Sequence, residues 1–75
     1  MKKNVIGPRI REGRRKADPP ITQIDLVARL QLLGLSIEQS SLSKMENGQR
    51  PITDIECEKI AKALDVSIAW LFGKK

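Results

Sequence analysis

The residues best suited to chemistry lie between positions 36 and 51, where a short polar run leads into a glycine. If a helix begins at Gln39, side chains turn by about 100° per residue, so Leu42 and Met45 share one face with Ser41. The opposite face then consists of Gln39, Ser40, Ser43 and Lys44. Short hydrogen-bonding groups that end in a cation, with no carboxylate among them, match the donors and acceptors on the floor of the DNA major groove.

This candidate helix has a clear end and an ambiguous start. Gly48 can adopt the left-handed conformation that closes a helix, and Arg50 follows in a basic, non-helical exit. At the other end, Ser36 and Gln39 could form a capping box, or Glu38 could be the first helical residue. The residue pattern leaves both starts open.

The size and composition of the chain limit the class of protein. We expect one domain over residues 1–75, with a core over about residues 5–72. A single Cys57 excludes an internal disulfide and the absence of His argues against most zinc sites, so we expect no metal and no cofactor. No apolar run is long enough to cross a membrane or resembles a secretory signal, which favours a cytoplasmic protein.

Positive charge is concentrated at the start of the chain. The net charge is +5, and residues 1–16 contain seven basic residues against Glu12 alone. Such a patch attracts DNA, RNA or anionic lipid, or it serves only as a solubilising surface. We expect Arg9, Arg11 and Arg15 to act through long-range electrostatics rather than through specific contacts.

Hydrophobic spacing predicts five helices and no strand. The first covers about residues 5–16, with Pro8 in its first turn. The second begins after Thr22, where Asp25 completes a capping box, and ends at Gly34. Its predicted buried stripe consists of Leu26, Val27, Leu30 and Leu33.

The polar helix described above is the third, and two more follow it. The fourth begins at Thr53, with Glu56 at capping-box spacing. Its inward positions are Cys57, Ile60, Ala61 and Leu64. The fifth is one or two turns from Ser67, with Ile68 and Leu71 expected to face inward. Trp70 and Phe72 either join the core or form a partly exposed apolar patch used for pairing.

Two helices joined by a Gly-containing turn, the second with a polar outer face, describe a helix-turn-helix. Thr22-Gln23, the run from Ser40 to Gly48 and the run from Ile60 to Ser67 resemble the lambda-repressor-like, Cro-type helix-turn-helix family. The resemblance covers about residues 6–72. It implies an all-α, compact five-helix DNA-binding domain in which helices two and three form the motif.

The resemblance also implies roles for individual positions. The base-contacting residues would be Gln39, Ser40, Ser43 and Lys44, on the helix at about residues 38–47. Phosphate contacts would come from Gln23, Ser41, Asn47 and Arg50, with Ser43 in support. Arg14 and Glu46 match an Arg–Glu pair that ties the first helix to the recognition helix, and we expect this pair to be partly buried.

Three features depart from the family pattern. Gly13 stands where a large apolar residue is usual, which predicts a looser or differently packed first helix. The spacing between Leu30 and Leu42 is about five residues longer than is common, which we interpret as one extra turn of helix two plus a longer connection. Glu38 replaces the usual Ser or Thr cap.

The resulting hypothesis is a sequence-specific transcriptional regulator, a repressor, that reads the major groove of double-stranded DNA. A homodimer on a palindromic operator is expected, formed around helix five or only on DNA. The alternative is a small protein-interaction module, such as an antitoxin whose main partner is another protein. An enzyme is not expected, because the chain has no His, no Gly-rich phosphate loop and only one Cys, which lacks a base.

Overall fold

The computed structural model describes residues 2–74, which form five helices around one apolar core. The helices are α1 (Gly7–Lys16), α2 (Gln23–Leu32), α3 (Gln39–Glu46), α4 (Asp54–Leu64) and α5 (Ile68–Leu71). Residues 2–74 contain no strand, so the all-α prediction is confirmed. Within this range, no helix has the length and apolar character needed to cross a membrane.

The starts of α2 and α4 are set by the capping boxes that the sequence predicts. The Thr22 hydroxyl accepts a hydrogen bond from the Asp25 N–H (3.0 Å), and the Asp25 carboxylate accepts one from the Thr22 N–H (3.2 Å). Thr53 and Glu56 make the same two bonds, at 3.1 and 2.9 Å. Each box satisfies two backbone donors that a helix start would otherwise leave open.

Both helices of the motif end at a glycine in the left-handed conformation, Gly34 (φ 90°) and Gly48 (φ 75°). In each case the N–H of the following residue bonds to the carbonyl five residues earlier, at 2.9 Å after α2 and 2.8 Å after α3. This is the Schellman arrangement, and a side chain at either position would be strained. The two glycines therefore set the direction in which the chain leaves each helix.

The core is formed mainly by α1, α2, α3 and α4. Its largest fully buried apolar side chains are Ile10, Leu26, Leu30, Leu42, Met45, Ile60 and Leu71. The predicted stripe of α2 is part of this set, with Val27 and Leu33 partly buried at its margin. The inward prediction for Ile68 is wrong: 46% of this residue is exposed, because α5 has only four residues and turns Leu71 into the core.

The first helix starts two residues later than predicted, at Gly7, because the chain before it runs along α3. The Asn4 side-chain oxygen accepts the Gly7 N–H (2.8 Å). A Cβ on Gly7 would collide with the Met45 carbonyl and would lie 2.7 Å from the Glu46 carbonyl. Glycine at this position therefore allows α1 to approach the end of α3 closely.

Gly13 makes room for Trp70 between α1 and α5. A Cβ on Gly13 would lie 3.2 Å from Leu64 Cδ1 and 3.4 Å from Trp70 Cζ3. The Arg9 guanidinium carbon lies 3.7 Å from the centroid of the Trp70 ring, and Arg9 Nε donates to the Trp70 carbonyl (2.9 Å). The indole of Trp70 therefore packs close against α1 at Gly13.

Residues 33–38 connect α2 to α3. Since α2 ends two residues after Leu30, the long spacing to Leu42 is taken up mainly by this connection. Leu35 and Ile37 in the connection pack against the core, and these contacts hold the connection against the rest of the protein.

The third helix starts at Gln39 with Glu38 at the cap position, as the helical face and the comparison with the family pattern assumed, and neither the Ser36–Gln39 capping box nor a start at Glu38 is found. Glu38 is the N-cap residue, its side chain makes no capping hydrogen bond, and Gln39 is the first helical residue. The Ser36–Gln39 capping box is therefore not formed. With Gln39 in the first turn, the polar face of α3 has the orientation that its residue spacing predicts.

Candidate nucleic-acid interface

The third helix turns its apolar side into the core and its polar side to solvent. Leu42 and Met45 are fully buried, and the carboxylate of Glu46 lies beneath the surface. The predicted base-contacting residues occupy the outer side: Gln39, Ser40 and Lys44 are exposed and Ser43 is partly exposed. Ser41 is also partly exposed. This polar face is therefore open on the protein surface and carries no exposed carboxylate.

Glu46, the last residue of α3, joins α1 to α3. Arg14 Nε and Nη2 donate to its two carboxylate oxygens, both at 2.7 Å, in a bidentate pair. Arg14 Nη1 also donates to the Ile21 carbonyl (3.1 Å). Arg11 Nε lies 3.4 Å from Glu46 Oε1. The predicted Arg14–Glu46 pair is thus present, it is buried, and a second arginine lies beside it.

The surroundings of Glu46 keep it ionised. Burial raises the pKa of the carboxyl, but hydrogen bonds from Arg14 and Gln23 and the charge of Arg14 outweigh burial, so the net pKa lies below the ordinary value. One carboxylate faces the two guanidinium groups of Arg11 and Arg14. The cluster therefore retains a net positive charge near the end of α3.

Gln23 connects this buried pair to the polar face of α3. Its Nε2 donates to Glu46 Oε1 (3.2 Å), and its Oε1 accepts a hydrogen bond from Gln39 Nε2 (3.3 Å). The chain of bonds orients both amides. Gln39 uses one N–H in this exposed bond, so its Oε1 and its second N–H remain available as an acceptor–donor pair.

Besides Gln23, two further residues predicted to contact phosphate have partners within the protein. Asn47 Oδ1 accepts a hydrogen bond from Arg11 Nη2 (2.7 Å), which leaves the amide nitrogen of Asn47 as an outward donor. Arg50 donates to both carboxylate oxygens of Glu56, at 2.9 and 3.2 Å. The Glu56 hydrogen bond raises the pKa of Arg50, so its guanidinium is held in an ion pair. DNA contact by either residue stays a prediction.

Sequence reasoning missed the segment formed by residues 2–4, which lies against the end of α3. Asn4 Nδ2 donates to the carbonyls of Met45 (3.0 Å) and Arg50 (2.7 Å). No local pattern could have indicated these contacts, because the two acceptors are 41 and 46 residues away along the chain. The only available signal was the cluster of positive charge at the start of the sequence.

Away from α3's polar face, an apolar groove of about 490 Å³ lies between residues 3–6, the start of α4 and α5. We use the name "apolar groove" for the surface formed by Val5, Ile52, Cys57, Ile68 and Phe72. Burial raises the pKa of the Cys57 thiol, so it serves as an apolar wall. Val5 and Phe72 are 73% and 51% exposed.

Comparison with known protein families agrees with this geometry. The model of the family described as Helix-turn-helix matches residues 21–71, from the residue before the Thr22 cap to the end of α5. No curated protein and no solved structure gave a match. The matched part includes α2 and α3 and covers well over half of the chain. The chain therefore belongs to the helix-turn-helix family of DNA-binding regulators, of the lambda-repressor and Cro-like type.

Proposed function

We propose that this protein is a sequence-specific repressor of transcription that inserts α3 into the major groove of double-stranded DNA. The observation that supports this most directly is the open polar face of α3, on which Gln23 orients the Gln39 amide. Repression is the simplest outcome, because occupation of a DNA site is enough to keep other proteins from it.

The residues of this face have complementary tasks in the proposal. The outward acceptor and donor of Gln39 can pair with N6 and N7 of adenine, and Lys44 can reach guanine or a phosphate. Ser40 and Ser43 can bond to either kind of group. Gln23 is the first residue of α2, where the backbone N–H groups and the helix dipole favour a phosphate.

One copy is not sufficient for this task. An eight-residue helix reads about four or five base pairs, and good base contacts are worth about 1–3 kcal/mol each, which is too little to select one site in a genome. We therefore propose that two copies bind a palindromic operator, on half-sites about one helical turn apart.

A second copy of this chain is the occupant that we propose for the apolar groove. Val5, Ile68 and Phe72 expose apolar surface there that pairing would remove from water. Lys3 and Asp54 both line the groove. In a dimer with a two-fold axis, this patch contacts the same patch of the second copy. A positive and a negative residue within the patch can then pair across the interface.

Replacing Phe72 with serine is expected to weaken pairing on DNA by roughly 10- to 150-fold. Fully burying a Phe side chain is worth about 1.5–3 kcal/mol; Phe72 is 51% exposed, so each copy can gain about half of this, and each dimer contains two copies. Sedimentation velocity with a two-half-site duplex should show two copies bound for the unchanged protein and one for Phe72→Ser. Leu32→Ser is the matched control, because Leu32 is 88% exposed on α2 and does not line the groove.

The groove also favours a second candidate function, the protein-interaction module. If Phe72→Ser keeps two copies on DNA but loses a complex with a different protein, the groove belongs to that partner and the second candidate is favoured.

Fluorescence anisotropy with a DNA duplex across a range of salt concentrations tests the main proposal. Each phosphate contact should contribute about −0.9 to the slope of log Kobs against log salt. Several contacts per copy therefore predict a steep slope. A flat response would contradict DNA binding, and selection of bound duplexes from a random pool should return a palindrome.

A further inference from the structure

The end of α3 is covered by a basic side chain from the start of the chain. A Cβ placed on Gly48 would lie 3.0 Å from Lys2 Cδ and 3.3 Å from Lys2 Cγ, so the aliphatic stem of Lys2 lies over this glycine. The Lys3 N–H donates to the Gly48 carbonyl (2.8 Å). Lys2 as a whole is exposed, so its stem covers the glycine while its ammonium group stays in solvent.

Asn4 fixes the backbone that carries Lys2. Its side chain makes three hydrogen bonds: to the Met45 carbonyl in α3, to the Arg50 carbonyl after it, and from the Gly7 N–H at the start of α1. These bonds join three parts of the chain at one point. Residues 2–4 therefore have a defined position relative to α3.

The charges at this point favour an anion. None of the ion pairs within residues 2–74 involves Lys2. Arg11, on α1, reaches the same end of α3, where its Nη2 donates to Asn47 Oδ1 and its Nε to Glu46 Oε1. The C-terminal end of a helix carries partial negative charge that would repel phosphate, and nearby cations offset this repulsion.

We infer that Lys2 and Arg11 form a second phosphate-binding site at the C-terminal end of α3, and that Asn4 is its positioning residue. The inference rests on the proposed function, because its ligand is the DNA backbone. The first site, at Gln23, lies beside the start of α3. Eight helical residues span about 12 Å, and the major groove is about 12 Å wide.

Salt-dependent anisotropy with Lys2→Ala tests this site. Removal of one phosphate contact should make the slope of log Kobs against log salt less steep by about 0.9. Lys2→Arg should keep the original slope. Lys62→Ala is the matched control, because Lys62 is an exposed cation on α4, paired with Glu58 at 3.8 Å, and its loss changes the net charge equally.

Asn4→Ala separates positioning from charge. Asn4→Ala removes no charge, but it should reduce the slope of log Kobs against log salt as much as Lys2→Ala does. The double variant with Lys2→Ala and Asn4→Ala should show no further reduction. Circular dichroism of Asn4→Ala checks that the helices remain folded. In the folded variant, an unchanged slope would assign Asn4 a purely structural role.

The outcomes distinguish this inference from the proposed function. A flat salt response of the unchanged protein would overturn both. A steep response that Lys2→Ala leaves unaltered would overturn the second site alone. Equal reductions in Lys2→Ala and Lys62→Ala would also overturn it, since general electrostatic attraction would then explain both.

Discussion

Replacing Glu46 with alanine is expected to lower the free energy of unfolding by about 3–5 kcal/mol. The substitution removes both 2.7 Å bonds to Arg14 and leaves that guanidinium, only 9% exposed, without a counter-charge. Natural domains are stable by only about 5–15 kcal/mol, so the loss is a large fraction of the total. Thermal unfolding followed by circular dichroism should show a fall in Tm of at least about 12 °C.

Two controls distinguish the buried pair from ordinary surface charge. Glu12→Ala removes a partly exposed carboxylate that pairs with Arg9 and Lys16 on α1, and surface pairs contribute only about 0–1 kcal/mol. Replacing both partners with apolar residues, Arg14→Met with Glu46→Leu, should restore most of the stability that Glu46→Ala loses. A Tm of Glu46→Ala within two or three degrees of the unchanged protein would contradict the argument.

The Arg14–Glu46 pair also makes the stability of the protein depend on pH. The pKa of Glu46 is lower in the folded protein than its ordinary value of 4.5. A lowered pKa in the folded state stabilises the protein fully above about pH 4.5, and this contribution is lost as the pH falls through the folded pKa. Burial raises the pKa of Glu56, but hydrogen bonds from Arg50 and Thr53 outweigh this effect, so its net pKa also lies below the ordinary value. Glu56 therefore adds to the loss of stability in acid. The Arg14→Met, Glu46→Leu protein should therefore lose less stability below pH 4.5 than the unchanged protein.

Replacing Gln39 with alanine is expected to weaken binding to the selected operator by roughly 5- to 150-fold per half-site. A bidentate contact between an amide and adenine is worth about 1–3 kcal/mol, and each factor of ten corresponds to about 1.4 kcal/mol. Gln39 is uncharged, so the salt slope should stay as it is in the unchanged protein. Affinity for unrelated DNA should also be nearly unaffected, and only specificity should fall.

Gln31→Ala provides the matched control for this experiment. Gln31 is also exposed and helical, but it lies in the last turn of α2, away from the polar face of α3. The Gln31→Ala variant should bind the operator with the affinity of the unchanged protein. Both Gln31→Ala and Gln39→Ala should keep the Tm of the unchanged protein. If Gln39→Ala binds the operator with unchanged affinity, Gln39 does not read a base.

The sequence alone was sufficient for the five helices and for most of their ends. The capping boxes at Thr22 and Thr53 and the helix-ending glycines Gly34 and Gly48 were predicted, and the structure contains them. Each depends on residues three to five positions apart, so local residue order determines it. The polar face of α3 was predictable for the same reason, since helical spacing alone separates it from Leu42 and Met45.

Only the tertiary structure decided how these parts meet. The bond from Gln39 to Gln23 spans 16 residues and the bond from Asn4 to Arg50 spans 46, so helix packing, not local order, brings these partners together. The inward prediction for Ile68 was wrong because helical spacing does not reveal which neighbour a four-residue helix packs against. Local order specifies backbone conformation over a few residues, whereas the buried charge pair, the apolar groove and the position of Lys2 depend on the packing of segments that are distant in sequence.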